Sequence, residues 1–133
     1  GNAQIDGITV SDADVARAAK YVILSAEEII DNDLIRNDPS RTVIPYYCVD
    51  AVCHVPYGSY PGNMPYRYFS DEDHLNEWLT VDGKPETLEP FLARYIYGTR
   101  NFAEYLELCG GEKRLEELRK LEFLEYDTPD NGV

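Results

Sequence analysis

Residues 21 to 24 read Tyr-Val-Ile-Leu, a continuous apolar run that follows directly on a stretch with helical character. A strand that is half solvated alternates polar and apolar side chains. A short unbroken run rich in β-branched and aromatic residues instead suits a strand buried on both faces, the condition of a parallel sheet covered by helices. The preceding stretch supplies such a helix. Ser11 stands as its N-cap, and Asp12 and Asp14 follow in a first turn where the helix dipole favours negative charge, so a helix over about 12 to 20 is predicted. A helix leading into a buried strand predicts an α/β fold.

Before this pair, Gly1-Asn2 followed by the alternating residues 3 to 10 predicts a turn feeding a strand, and the absence of an initial Met gives the impression of a chain that begins inside a longer protein. After it, "DNDLIRNDPSRT" predicts a short helix or turn closed at Asp38-Pro39, because the residue before proline resists the helical region. Residues 43 to 55 are rich in β-branched and aromatic types and are interrupted at Pro45. They predict a strand of about 47 to 55, with Tyr47, Val49, Ala51, Cys53 and Val55 on one face and Cys48, Asp50, Val52 and His54 on the other.

The following fifteen residues, "VPYGSYPGNMPYRYF", hold three prolines, two glycines and five aromatic residues. A tyrosine combines a flat apolar face with a hydroxyl, which suits the wall of a pocket for a partly polar ligand and equally suits a packed interface. Composition alone leaves the loop divided between those roles. Arg67 within it carries a planar fork that fits a carboxylate or phosphate, or one of the chain's 25 acidic residues.

Past the loop the pattern turns helical. Ser70 is expected to cap a helix with Leu75, Trp78 and Leu79 on one stripe. Leu88, Leu92, Tyr95 and Ile96 mark a second helix stopped at Gly98, and Gly110-Gly111 separates two more, while the tail 127 to 133 is expected to fray. The expected organisation is one domain with a β/α part over 1–69 and a helical part over 70–125.

The formal charge of −13 repels phosphate backbones and argues against nucleic acid. Three cysteines, an odd number without a CxxC pair, point to a reducing, cytoplasmic compartment and not to a disulfide framework. Cys48, Cys53 and His54 lack zinc-finger spacing and a fourth ligand of the usual kind, so no metal is expected. No apolar run approaches the roughly twenty residues that span a bilayer, so no membrane association is expected. Phosphate-binding glycine loops, the GxSxG elbow and the HExxH zinc motif are all missing. Glu27 and Glu28 lie just past the carboxyl end of the apolar strand, where open α/β sheets take their ligands; they are either pocket acids or first-turn acids of a following helix. His54, at the end of the next strand, is placed in the same way.

The ordered stretch from Ala18 to Leu79, with its "SAEEIID", "RTVIP" and "VDAVCHVPYGSYP" segments, resembles the alpha (A) subunit of family I CoA-transferases of the glutaconate CoA-transferase type. There, similar "TVEEIVD", "RTVIP" and "VDAVVEVPYGAHP" segments occur in this order, and "YLELCGGEKRLEELRK" is similar to the closing helices. The resemblance runs from about residue 1 to 121. It implies an α/β fold with an open, largely parallel sheet, of the type shared with ribose-5-phosphate isomerase, followed by a C-terminal helical part. It implies that the chain is the C-terminal segment of a longer alpha subunit, inactive alone, in an enzyme that moves CoA between carboxylic acids such as glutaconate and similar dicarboxylates. The nucleophilic glutamate, which forms a glutamyl-CoA thioester, would come from a beta subunit. No catalytic residue is expected in this segment, no cofactor is expected to be covalently bound, and coenzyme A is expected as a substrate.

Tyr57, Gly58, Tyr60, Arg67 and Glu28 are the pocket candidates under this resemblance. The chain departs from the family pattern where Tyr60 replaces the histidine that many relatives carry before the proline, and where "PYRYF" replaces a "GYY"-like run. Those departures bear on the substrate more than on the fold. The alternatives are a hydrolase of an acyl-CoA or ring ketone-CoA on the same fold, and an interaction module without catalysis.

Overall fold

A computed structural model describes residues 1–125. These residues form two compact units, one of residues 1–58 and one that begins at Ser59.

The first unit contains β1 (Ala3–Gln4), α1 (Asp12–Ala18), β2 (Ile23–Ala26), α2 (Asn32–Asn37), β3 (Thr42–Ile44) and β4 (Ala51–His54), with 3-10 turns at Pro39–Arg41 and Tyr46–Cys48. β1 and β3 pair antiparallel, with Ala3 opposite Ile44. β2 and β4 pair parallel in unbroken register from Ile23 and Ala51 to Ala26 and His54. Asp50 starts that ladder with both its backbone and its side chain: its N–H donates to the Val22 carbonyl at 2.9 Å, and its carboxylate accepts the Val22 N–H at 2.8 Å.

The helix after Ser11 forms as expected, although Ser11 makes no side-chain cap bond. The Asp12 carboxylate instead accepts the N–H of Val10 at 3.3 Å. Asp38-Pro39 ends α2, whose N-cap Asp31 accepts the Asp33 N–H at 2.7 Å.

Three strand expectations are corrected, the first being that the strand expected over residues 3 to 10 extends only over Ala3–Gln4. β2 is not buried on both faces: Ile23 is 73% exposed, and the parallel ladder has only two strands among the described residues. The strand expected over 47–55 is shorter than the pattern suggests. After Pro45, the N–H groups of Cys48 and Val49 bond back to the Pro45 and Tyr46 carbonyls and close a 3-10 turn, so extended pairing begins only at Ala51.

The second unit is helical: α3 (Glu72–Val81), α4 (Pro85–Leu92) continued by a π-helical turn at Ala93–Tyr97, α5 (Phe102–Leu108) and α6 (Gly111–Glu122). The cap of α3 is Asp71 and not Ser70. The Ser70 hydroxyl donates to the Glu72 carboxylate at 2.8 Å, which leaves Asp71 to accept the His74 N–H. The buried face of α3 is also rotated from the expected stripe: His74 is buried, Leu75 and Trp78 are half-buried, and Leu79 is 68% exposed.

Gly110 and Gly111 form the break before α6, both with positive φ, and a Cβ on Gly110 would stand 2.9 Å from the Arg114 Cβ. The core of this unit gathers Tyr60, Tyr68, Phe91, Tyr95, Leu115 and Leu118. The tail 127–133 lies outside the described residues. No helix among the described residues is long and apolar enough to cross a membrane. The α/β part followed by helices agrees with the expected fold class.

Candidate functional site

In the first unit, titratable groups meet at the carboxyl end of the β2/β4 pair, the end at which parallel strands commonly present ligand-binding groups. The ladder closes with the Val55 N–H on the Ala26 carbonyl at 2.8 Å. The chain then turns over Val55-Pro56-Tyr57-Gly58, and the Gly58 N–H returns to the Val55 carbonyl at 3.0 Å. Proline at the second position and a positive φ of 61° at Tyr57, the third, are the marks of a type II turn.

That third position ordinarily holds glycine or asparagine, and the left-handed region costs a residue like tyrosine about 1 kcal/mol. Glu27 offsets this: its carboxylate accepts the Tyr57 N–H at 2.6 Å in a half-buried setting. From the other side, His54 Nε2 donates to the Glu27 carbonyl at 3.2 Å. Gly58 is required for closeness, since a Cβ there would stand 2.9 Å from the Val55 carbonyl oxygen.

Glu27 and Glu28 precede α2 by several residues, so neither is a first-turn acid; Asp31 and Asp33 hold that place. Glu27 folds back onto the turn, while Glu28 is exposed. An open groove of about 340 Å³ lies elsewhere in this unit, between α1 and β2, lined by Val15, Ala16, Val22, Leu24 and Ile44 with Asp12 among its polar residues. It contains no histidine, cysteine or basic side chain.

The second unit holds a different assembly, centred on Asp71, which is only 2% exposed. Its carboxylate accepts the Tyr60 hydroxyl at 2.7 Å, Arg114 Nη2 at 2.7 Å and Nε at 3.1 Å, and the His74 N–H at 3.3 Å. His74 lies among Tyr60, Phe91, Tyr95 and Tyr105, with ring centroids 4.7 to 6.0 Å away, and its Nε2 shares a 2.9 Å hydrogen bond with the Tyr105 hydroxyl.

Burial pushes the Tyr60 and Tyr105 hydroxyls and the Cys109 thiol upward, and burial with a bond to Glu77 raises Tyr95 to about 12. Burial alone would also raise Asp71, but Arg114, Tyr60 and the His74 N–H outweigh it and hold the carboxyl below its ordinary value. At neutral pH the hydroxyls and the thiol are therefore protonated, and a charged Asp71 faces a charged Arg114. This arrangement ties Tyr60, the start of α3 and Arg114 of α6 together through one buried carboxylate.

The structure thus separates the candidates. Tyr57 and Gly58 sit in the turn at the strand ends, with Glu28 exposed nearby in sequence. Tyr60 points inward to Asp71 and belongs to the buried network of the helical unit. Arg67 is exposed, beside Tyr66, whose φ of 63° is again left-handed and whose N–H is held by Glu122 at 2.7 Å. Sequence reasoning passes over Asp71, His74 and Arg114. The available signal is an aspartate three residues ahead of a histidine at a helix start, but the arginine partner stands 43 residues away, beyond any local pattern.

Known proteins share both the sequence and the fold. No protein-family model matches the chain. It is 51% identical over 124 residues, 93% of its length, to an uncharacterised protein of Archaeoglobus fulgidus, covering 28% of that protein. It is 36% identical to the alpha (A) subunit of glutaconate CoA-transferase from Acidaminococcus fermentans, over 85% of this chain and 35% of that one. It is 37% identical to the corresponding (A) subunit of 3-oxoadipate CoA-transferase from Pseudomonas knackmussii, over 79% of this chain and 36% of that one. The crystal structure of the Acidaminococcus glutaconate CoA-transferase superposes with a TM-score of 0.83 at 36% identity, over 89% of this chain and 37% of that one. The chain therefore spans roughly a third of the length of these relatives. Sequence and fold agree along nearly all of its length, and the chain belongs to the alpha subunits of the family I CoA-transferases.

Proposed function

We propose that the chain is the C-terminal segment of an alpha subunit whose enzyme moves CoA between carboxylic acids, with glutaconate-like dicarboxylates as the substrate class and a beta subunit as partner. The observation that carries this reading is the fold agreement with glutaconate CoA-transferase over 89% of the chain at 36% identity. In the proposed reaction a glutamate carboxylate of the beta subunit attacks the thioester carbonyl and expels the CoA thiolate, giving an acyl-glutamyl anhydride. The thiolate then attacks the glutamyl carbonyl, releases the first acid and leaves an enzyme-CoA thioester, which the second acid takes through the same steps in reverse. CoA is a substrate here, and no bound cofactor enters the scheme.

This segment supplies no nucleophile in that scheme. Tyr57, Gly58 and Glu28 are the contact candidates of the first unit, and Arg67 is a carboxylate or phosphate ligand of the second. Tyr60 acts from within, by holding the loop to Asp71. The three free cysteines support a reducing, cytoplasmic setting.

The test is a CoA-exchange assay on the full-length alpha subunit with its beta subunit, across several dicarboxylic acids, with hydroxylamine added after acyl-CoA. Exchange is expected, with loss of activity only when acyl-CoA precedes hydroxylamine, and the 133-residue chain alone is expected to show no turnover. Hydrolysis without exchange would overturn the transferase reading in favour of the hydrolase. In the same assay, Arg67→Ala is expected to shift the preference among acids by about tenfold, the size of one charge-assisted hydrogen bond, with little change in melting temperature. Parallel loss of activity for every acid together with a lowered melting temperature would mark Arg67 as a packing residue.

A further inference from the structure

We propose that Glu27 is a positioning residue for the acyl-CoA reaction, which sets the Val55–Gly58 turn, and with it Tyr57, in a fixed geometry at the carboxyl end of the β2/β4 pair. The inference rests on the CoA-transferase reading for its reaction and on this chain's own geometry for its mechanism.

Three bonds tie the end of β2 to the end of β4 and its turn: Val55 N–H to the Ala26 carbonyl at 2.8 Å, His54 Nε2 to the Glu27 carbonyl at 3.2 Å, and Tyr57 N–H to the Glu27 carboxylate at 2.6 Å. The first two use backbone acceptors that any residue at 26 or 27 would provide. The third needs the Glu27 side chain. An ionised acceptor makes a shorter and stronger bond than a neutral one, and this bond is short.

Its target is a backbone N–H that the turn itself leaves without a partner, because in a turn of this kind only the fourth residue donates back to the first. Tyrosine at the third position adopts a left-handed conformation that glycine would take with less strain. The backbone conformation alone therefore gives no reason for a tyrosine there, and strained positions of this kind concentrate at functional sites. The same device occurs at Tyr66, where a left-handed φ of 63° coincides with an N–H captured by the Glu122 carboxylate at 2.7 Å. In both places a glutamate side chain locks a tyrosine backbone that the local sequence would otherwise leave free to relax.

The inference makes Glu27 act through Tyr57 and not on the substrate, and that distinction is measurable by a double-mutant cycle in the full-length alpha subunit assembled with its beta subunit. Glu27→Ala is expected to lower kcat/KM for acyl-CoA by about tenfold to a hundredfold, the range seen when a reacting pair is misplaced by an ångström or less. Glu27→Gln keeps an oxygen acceptor and is expected to retain most of the activity. Tyr57→Gly is expected to lose activity while keeping the melting temperature, and Glu27→Ala added to it is expected to cost little more. Multiplicative losses would show Glu27 acting independently of Tyr57 and would overturn the inference.

Amide hydrogen exchange supplies a readout independent of catalysis. The Tyr57 amide is expected to lose protection in Glu27→Ala and to keep it in Glu27→Gln, while exchange in α1 and α2 stays unchanged. Protection that survives Glu27→Ala would also overturn the inference. If the wild-type pair exchanges no CoA, the functional reading fails, and the exchange data still decide whether Glu27 sets the turn.

Discussion

Asp71→Ala is expected to destabilise the helical unit by about 3 kcal/mol, a large share of the stability of an ordinary domain. The loss has identifiable parts. Arg114, with a quarter of its side chain in water, keeps its charge and loses two bonds to Asp71, while retaining contacts with Asp73 and Glu117 at 2.9 and 3.2 Å. The Tyr60 hydroxyl, buried, loses its acceptor, and α3 loses its N-cap, itself worth about 1 kcal/mol. Asp71→Asn keeps a single acceptor oxygen, which can serve either the cap, made through Oδ1, or the Tyr60 hydroxyl, which bonds Oδ2, and it removes the charge; it is expected to lose about half as much. Chemical denaturation of the two variants checks the order. Equal stability of wild type and Asp71→Ala would show that the network contributes no net stability.

The same residue gives the pH dependence its sign. Its folded-state pKa lies below the ordinary carboxylate value, so the unfolded chain binds the proton first as pH falls. The contribution of Asp71 is complete above about pH 5 and is lost as pH falls from the ordinary carboxylate value of about 4 through the lower folded value. The denaturation midpoint is expected to fall over that window in the wild type and to fall less steeply in Asp71→Asn. An identical slope in both proteins would remove Asp71 as the source.

The second large effect is expected at Tyr68. At 1% exposure it is among the most buried side chains of the unit, and its neighbour Phe69 donates its N–H to the carbonyl of Leu118, which is 0% exposed. Its hydroxyl accepts the Ser59 N–H at 3.1 Å, and its backbone pairs with Met64 in both directions at 3.0 Å. Tyr68→Ala removes a whole ring from a filled core and is expected to cost about 4 kcal/mol, whereas Tyr68→Phe removes one hydrogen bond and is expected to cost about 1 kcal/mol. Urea unfolding monitored by far-UV circular dichroism separates the two. A small loss in Tyr68→Ala would place the ring at the surface and return the loop to the pocket role.

How much of the structure is legible in the sequence depends on the range of each interaction. The helices after Ser11 and after Pro85, the stop at Asp38-Pro39 and the break at Gly110-Gly111 are set by neighbours a few residues apart, and local pattern finds them. The β4 strand reads too long because Pro45 and the residues after it favour extended structure by type, while the turn that shortens it is a matter of backbone bonds among Pro45, Tyr46, Cys48 and Val49. Asp71 escapes local pattern because its partners Tyr60 and Arg114 lie 11 and 43 residues away. Glu27 stands out as an acid at the end of a strand, but its link to Tyr57 spans 30 residues and joins a side chain to a backbone N–H, for which residue type carries no signal. The tyrosine-rich loop resolves into residues with different duties: Tyr60 and Tyr68 pack inward, and Tyr57 and Tyr66 hold left-handed backbone pinned by glutamates.

The parallel pairing of β2 with β4 also sets a timetable for synthesis. The ladder begins with Val22 and Asp50, 28 residues apart, so β2 leaves the ribosome before its partner does. At about 5 to 20 residues per second that interval lasts a few seconds. Throughout it the Tyr21–Leu24 run is available to any other unpaired strand, and neither α1, already made, nor α2, made next, can supply the missing ladder. The interval between the emergence of β2 and that of β4 therefore governs how long this segment is exposed to mispairing, and because the ribosome shelters the most recently made stretch, slow translation just after His54 would lengthen that exposure.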